Sequence, residues 1–153
     1  MVKVIKDDDG KVIGVSMTFY SEPVPQGRVR FSTRGKFVRA FDPKKSSEYK
    51  EHLKSAAQEV YKEQPDFKPF ETAIILHLHI FRSIPKTFSK KKHELALMGL
   101  IRPTTKPDCS NYLKGVEDAL NKVLWEDDSR IVSENVNKFY SDQPRIELTV
   151  WSL

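Results

Sequence analysis

The chain has 153 residues, one domain's worth of polypeptide, with 39% hydrophobic and 31% charged side chains and a net charge of +5. That supplies one packed core, and no apolar run reaches the ~20 residues that a helix needs to cross a bilayer, so a membrane-spanning helix is excluded. The opening MVKVIKDDDGK lacks the apolar stretch of a signal peptide, and the single Cys109 provides neither an internal disulfide nor a two-thiol zinc site, so a protein of a reducing cytoplasm is expected.

In chain order, residues 2–5 and 11–19 read as two strands about an Asp9-Gly10 turn, which Gly10 permits by its access to positive φ. Pro23 and Pro25 stop the second strand. Residues 28–31 and 36–41 flank the turn signal Ser32-Thr33-Arg34-Gly35 and predict a second, basic hairpin. Asp42-Pro43 is suited to cap and open a helix over about 44–63, where Tyr49, Leu53, Ala56, Ala57 and Val60 recur at helical spacing until Pro65. Thr72 to Phe81 is apolar on both faces apart from His77 and His79, as expected of a central strand. The two histidines share a side, but no carboxylate or thiol stands at ligand spacing, so they are read as part of a partly covered sheet face.

Ser89 predicts a short helix ending near Met98. Lys86, Lys90, Lys91 and Lys92 crowd its start, where the helix dipole disfavours positive charge, so their placement points to phosphate contact. From Ser110 the residues Tyr112, Val116, Ala119, Leu120 and Val123 form an apolar helical stripe beside the polar stripe Asn111, Lys114 and Asp118. Trp125 to Asp128 forms a turn. Residues 130–140 and 145–153 then alternate as two strands expected to pair about Asp142-Gln143-Pro144. The expected fold class is α+β: a single domain over residues 1–153, with a mixed, mostly antiparallel sheet packed by two to three helices.

Charge is segregated along this order. Residues 21–54 hold nine Lys/Arg against four Asp/Glu, residues 82–106 seven against one, and residues 107–153 five against nine. Basic arms with an acidic final third suit a metal-dependent enzyme acting on a polyanion, whose bound cations offset the acids. Arg28, Arg30, Arg34, Lys36, Lys90, Lys91 and Lys92 are the expected contacts to a nucleic-acid backbone.

The chemistry is concentrated in Lys106-Pro107-Asp108-Cys109-Ser110-Asn111, the helix carrying Lys114 and Asp118, and the turn Glu126-Asp127-Asp128. A helix of this length spans ~20 Å, so Asp108 and Asp128 meet only if the following strand runs back antiparallel to it or the turn folds over it. Two readings are open: a hard-cation site with carboxylate ligands, or a helix-capping Asp108 followed by an ordinary Asp-Asp turn.

These residues resemble the RusA-type Holliday-junction resolvases, dimeric metal-dependent endonucleases of phages and prophages. The family pattern Lys/Arg-Pro-Asp-x-Asp-Asn, then a Lys, an Asp-Ala-Leu and a later Glu/x-Asp-Asp turn, is matched by Lys106, Pro107, Asp108, Asn111, Lys114, Asp118-Ala119-Leu120, Glu126, Asp127 and Asp128. Upstream, Pro23, Pro25, Gly27, Arg28, Arg30 and Phe31 look like the gram-positive and phage branch. The resemblance implies Asp108, the position of Ser110 and Asp128 as metal ligands, Lys114 at the phosphate, and Mg²⁺ as cofactor with Mn²⁺ able to substitute. It further implies a homodimer acting on four-way branched DNA in the cytoplasm of a bacterial host, phage or prophage encoded.

Ser110 departs from the pattern, since a neutral hydroxyl is a poorer Mg²⁺ ligand than a carboxylate. Three outcomes stay open. Asp118 or Asp127 substitutes, weaker metal binding is tolerated, or the protein binds junctions and cuts them poorly. Asp118 also stands at i,i+4 from Lys114, so a plain ion pair is its alternative role. Phe19, Tyr20, Phe37, Phe41 and the first hairpin are the candidates for the dimer interface.

Overall fold

In a computed structural model, which describes residues 1–33 and 35–153, the first hairpin forms as its turn demands. Strands β1 (Val2–Lys6) and β2 (Val12–Phe19) pair antiparallel. Gly10 takes φ +81°, and the Asp7 carboxylate accepts from the backbone N–H groups of Asp9 and Lys11 at 3.0 and 2.9 Å. The second hairpin is shorter than expected. It comprises β3 (Arg30–Ser32) and β4 (Arg39–Phe41), a two-stranded sheet separate from the main one. Arg34 lies outside the described residues.

The predicted helix over 44–63 is broken in two. Helix α1 (Lys44–Ala57) tightens into a turn at Gln58 and Glu59, where Glu59 N–H donates to the Ala56 carbonyl, and a short α2 (Val60–Glu63) follows. The break delivers Val60 fully buried into the core. Asp42 does not cap α1. Pro43 holds the N-cap position without a side-chain bond, because the Asp42 carboxylate is taken by Lys50 Nζ and Gln26 Nε2.

Strand β5 (Ile74–Ser83) buries Ile74, Leu76, Leu78 and Ile80 completely and turns His77 and His79 to the opposite face. There His79 sits edge-on to the Phe81 and Phe139 rings, which stack on each other at 5.2 Å. The helix after Ser89 is α3 (Lys90–Leu97), with the Ser89 hydroxyl accepting from Lys92 N–H. The amphipathic helix is α4 (Cys109–Leu120).

Strands β6 (Ile131–Ser141) and β7 (Arg145–Ser152) form where expected but do not pair with each other. The five-stranded order is β1-β2-β7-β5-β6, with β5 inserted between them, parallel to β6 and antiparallel to β7. Parallel pairing needs a crossover of a dozen or more residues, and residues 84–130, with α3 and α4, supply it. The link 142–144 then has only to step across one strand, about 10 Å, which three residues can reach. The sheet is therefore mixed and mostly antiparallel.

Its core face is covered by α1, α2, α4 and the turn that follows α4, through Leu53, Ala57, Val60, Val116, Leu120, Leu124 and Trp125 packed with Val15, Ile74, Leu76, Leu78, Leu148 and Val150. Among the described residues no helix is long and apolar enough to cross a membrane.

Candidate functional site

Burial of Tyr112, Val116, Ala119 and Leu120 fixes the rotation of α4 and leaves Asp108, Asn111, Lys114 and Asp118 exposed. The helix is clamped from outside by the segment before β3. Gln26 N–H donates to the Asn111 carbonyl at 3.0 Å, and a Cβ on Gly115 would stand only 3.3 Å from Gln26 N. Gly27 in turn lies against Pro43 so closely that a Cβ would fall 2.6 Å from its ring. Close packing of two glycines thus brings Arg28 to the start of α4.

The outcome is a cleft of about 450 Å³ lined by Arg28, Lys106, Asp108, Asn111 and Lys114, with Gln26, Gly27 and Val29. Asp108 occupies the N-cap position. Its main-chain oxygen accepts from Asn111 and Tyr112, yet its carboxylate makes no capping bond. The capping role weighed for this side chain is not the one it plays. Ser110 is exposed on the first turn.

The two aspartates of the following turn separate in role. Asp127 accepts from Ser129 N–H at 2.8 Å and caps the 3-10 turn Asp128–Arg130, and these Ser129 hydrogen bonds hold its carboxyl below the usual range. Asp128 accepts at 2.8 Å from the indole N–H of the fully buried Trp125. Burial raises the Asp128 carboxyl, with Asp118, Asp127 and Glu134 adding to the rise and the Trp125 bond opposing it.

Beside Asp128 lie two acids that sequence reasoning missed. Glu117 is pushed up to about 8, first by burial, then by its hydrogen bond to Glu134 and by the negative charges of Glu134, Asp128 and Asp118. Glu117 was discoverable, since seven residues after Ser110 and three after Lys114 places it on their side of the helix. Glu134 had no such signal, because only the packing of β6 on α4 brings it near. Asp118 is ion-paired with Lys50 of α1 at 3.6 Å rather than with Lys114.

Strand β6 runs back along α4: Glu134 meets Glu117, and Lys138 Nζ donates to the carbonyls of Thr105 and Pro107 at 3.1 Å. The antiparallel return demanded by the spacing is present. Asp108 and Lys114 line the cleft, while Glu117, Asp118 and Glu134 are the acids whose charges act around Asp128. Among the described residues no hydrogen bond or ion pair joins Asp108 to Asp128, and no three His, Cys, Asp or Glu side chains close on a common point. The donors are of the right kind for a hard divalent cation, being carboxylate oxygens whose mutual repulsion a cation relieves. The closed ligand group itself is not formed among these residues.

Of the expected backbone contacts, Arg28 lines the cleft, Arg30 and Lys36 are exposed on and beside the β3–β4 hairpin, and Lys90, Lys91 and Lys92 are exposed on the first turn of α3. Lys92 Nζ stands 4.1 Å over the Phe88 ring.

A protein-family model described as Endodeoxyribonuclease RusA matches residues 20–151. The chain is also 43% identical over 138 residues to the uncharacterized protein YqaN of Bacillus subtilis (strain 168), a match covering 89% of this chain and 94% of the relative.

Proposed function

The chain belongs to the RusA endodeoxyribonuclease family, and from that premise we propose that it is a Mg²⁺-dependent nuclease that resolves four-way DNA junctions by paired symmetric nicks. The family implies Holliday-junction resolution and dependence on a divalent metal. The observation that carries the reading to this chain is the cleft at the start of α4, where an uncapped Asp108 faces Lys114, Arg28 and Lys106.

The cleft suits a phosphodiester. Arg28, Lys106 and Lys114 surround one carboxylate, so a phosphate entering it meets net positive charge. Lys114 offsets charge that builds on the phosphorane oxygens or on the leaving oxygen. Asp108 and Asp128 are the residues proposed to hold the cation, with Asp118, Asp127 and Ser110 as further candidates and Glu117 and Glu134 beside Asp128. A cation held by these carboxylates would supply Lewis-acid polarisation of the phosphate. Trp125 acts as a positioning residue: its indole N–H fixes the Asp128 carboxylate and favours its charged form. Two symmetric nicks call for two identical sites about a two-fold axis, so a homodimer is part of the proposal.

Ser110 favours a second reading, in which the protein binds junctions and cuts them poorly. Both readings are separated by incubating a labelled synthetic four-way junction with Mg²⁺ and the wild type, Asp108→Asn, Asp128→Asn or Ser110→Asp. The nuclease reading expects paired nicks from the wild type, none from either asparagine variant, and junction binding retained by both. Binding without nicks in the wild type, with nicks gained by Ser110→Asp, supports the second reading. Failure to bind the junction at all contradicts both.

A further inference from the structure

The sharpest departure from burial of apolar side chains lies outside the cleft, on the β3–β4 hairpin. Phe31 is 68% exposed, Phe37 76% and Phe41 48%, beside exposed Val29 and Val38. Exposed aromatics grouped in this way mark an interaction surface. Residues 28–41 also carry five basic side chains and no acidic one.

The register interleaves the two chemistries. Arg30 stands opposite Phe41, Phe31 opposite Ala40 and Ser32 opposite Arg39. Opposed residues share a face and successive pairs alternate, so Arg30, Arg39 and Phe41 share one face while Phe31 stands on the other. The hairpin pairs with no strand of the main sheet. Its root, in contrast, is fixed by Gln26 N–H on the Asn111 carbonyl and Gly27 N–H on the Ser46 hydroxyl at 3.1 Å. A basic and aromatic arm outside the main sheet therefore leaves from a base at which Arg28 shares the cleft with Asp108 and Lys114.

Phenyl faces take unstacked bases regardless of sequence, and the arginines between them take the adjoining phosphates. A second copy of the same hairpin is a poor occupant, because it would bring two strongly basic arms together. We propose that this hairpin reads the branch point of the DNA: Phe31, Phe37 and Phe41 stack on bases exposed at the crossover, and Arg28, Arg30 and Arg39 hold the flanking phosphates. The proposal rests on the reading of the chain as a junction-binding protein, and it adds how a junction is told from a duplex.

The test is binding in EDTA, so that nothing is cut, to a four-way junction with 2-aminopurine at the crossover and to a linear duplex of the same sequence. The wild type should prefer the junction and change the 2-aminopurine fluorescence. The variant Phe31→Ala/Phe37→Ala/Phe41→Ala should lose that change and about 100-fold of junction affinity, while its duplex affinity moves by no more than about twofold. Phe37→Ala alone, at the most exposed of the three rings, should lose about tenfold on the junction without changing the thermal melt. Wild-type junction affinity and fluorescence in the triple variant overturn the proposal. Parallel loss of junction and duplex binding as sedimentation shows a dimer falling to monomers also overturns it, identifying the hairpin as an interface between copies. A wild type with no preference for the junction removes the underlying reading as well, which distinguishes the two failures.

Discussion

At the scale of single residues, the hydrogen bond from Trp125 to Asp128 is where the buried core meets the acidic cluster. Trp125→Phe keeps most of the apolar volume and removes the donor. The remaining forces on Asp128, burial and its acidic neighbours, then raise its carboxyl further. The acid limb of this variant's pH–rate profile should therefore shift upward relative to wild type. A profile with the wild-type midpoint would show that the indole only fills space. Lys114→Ala should lower the cleavage rate by about 100-fold with little change in junction affinity, measured under single-turnover conditions.

Glu117 gives a prediction about stability. Its carboxyl is pushed up to about 8 from an ordinary 4.5, so the folded protein keeps a proton that the unfolded chain has lost. With more protons bound in the folded state, stability falls as pH rises from about 4.5 to about 8. The melting temperature of the wild type should decline over that window, and that of Glu117→Gln should decline less. Equal slopes in a melting series across pH would show that the repulsion around Glu117 is not felt.

At the scale of elements, every strand and the helices α3 and α4 were legible in the sequence to within a few residues, since alternation and 3.6-residue periodicity report burial directly, whereas the break at Gln58 and Glu59 that divides 44–63 into α1 and α2 was not. Strand order was not. Residues 130–153 look like a hairpin, but pairing is decided by which neighbour buries most apolar surface, and the near-continuous apolar β5 wins the place between β6 and β7. The site divides in the same way. Asp108, Lys114 and Asp128 were legible as chemistry in one stretch of chain, whereas Glu134 depended on β6 returning along α4. Asp42 was misread as a cap because no local pattern announces Lys50 as its competitor.

The glycine clamp on α4 is an element-scale device. Gly27→Ala forces a Cβ into the Pro43 ring and should destabilise the fold by about 1–3 kcal/mol, read as a lower urea midpoint. Because the same packing sets Arg28 beside Asp108, junction affinity should fall with it. An unchanged midpoint would mean that the 26–27 segment moves aside freely.

At the scale of the whole molecule, charge is sorted into surfaces of opposite sign: basic on the hairpin and the start of α3, acidic around the far end of α4. Affinity for DNA should be carried by the basic surfaces, and cutting by Asp108, Lys114 and Asp128. Junction binding should weaken with salt, and replacing Lys90, Lys91 and Lys92 by Ala should make the plot of log affinity against log salt shallower by about 0.9 for each lysine that touches a phosphate. An unchanged slope would place the α3 lysines away from the DNA.

The most direct measurement of the central claim is Mn²⁺ uptake by the purified protein, followed by electron paramagnetic resonance of the free ion. If Asp108 and Asp128 share one cation, the wild type binds Mn²⁺, and Asp108→Asn and Asp128→Asn each remove the same binding event while their thermal melts stay cooperative. Full uptake by either variant would contradict the account.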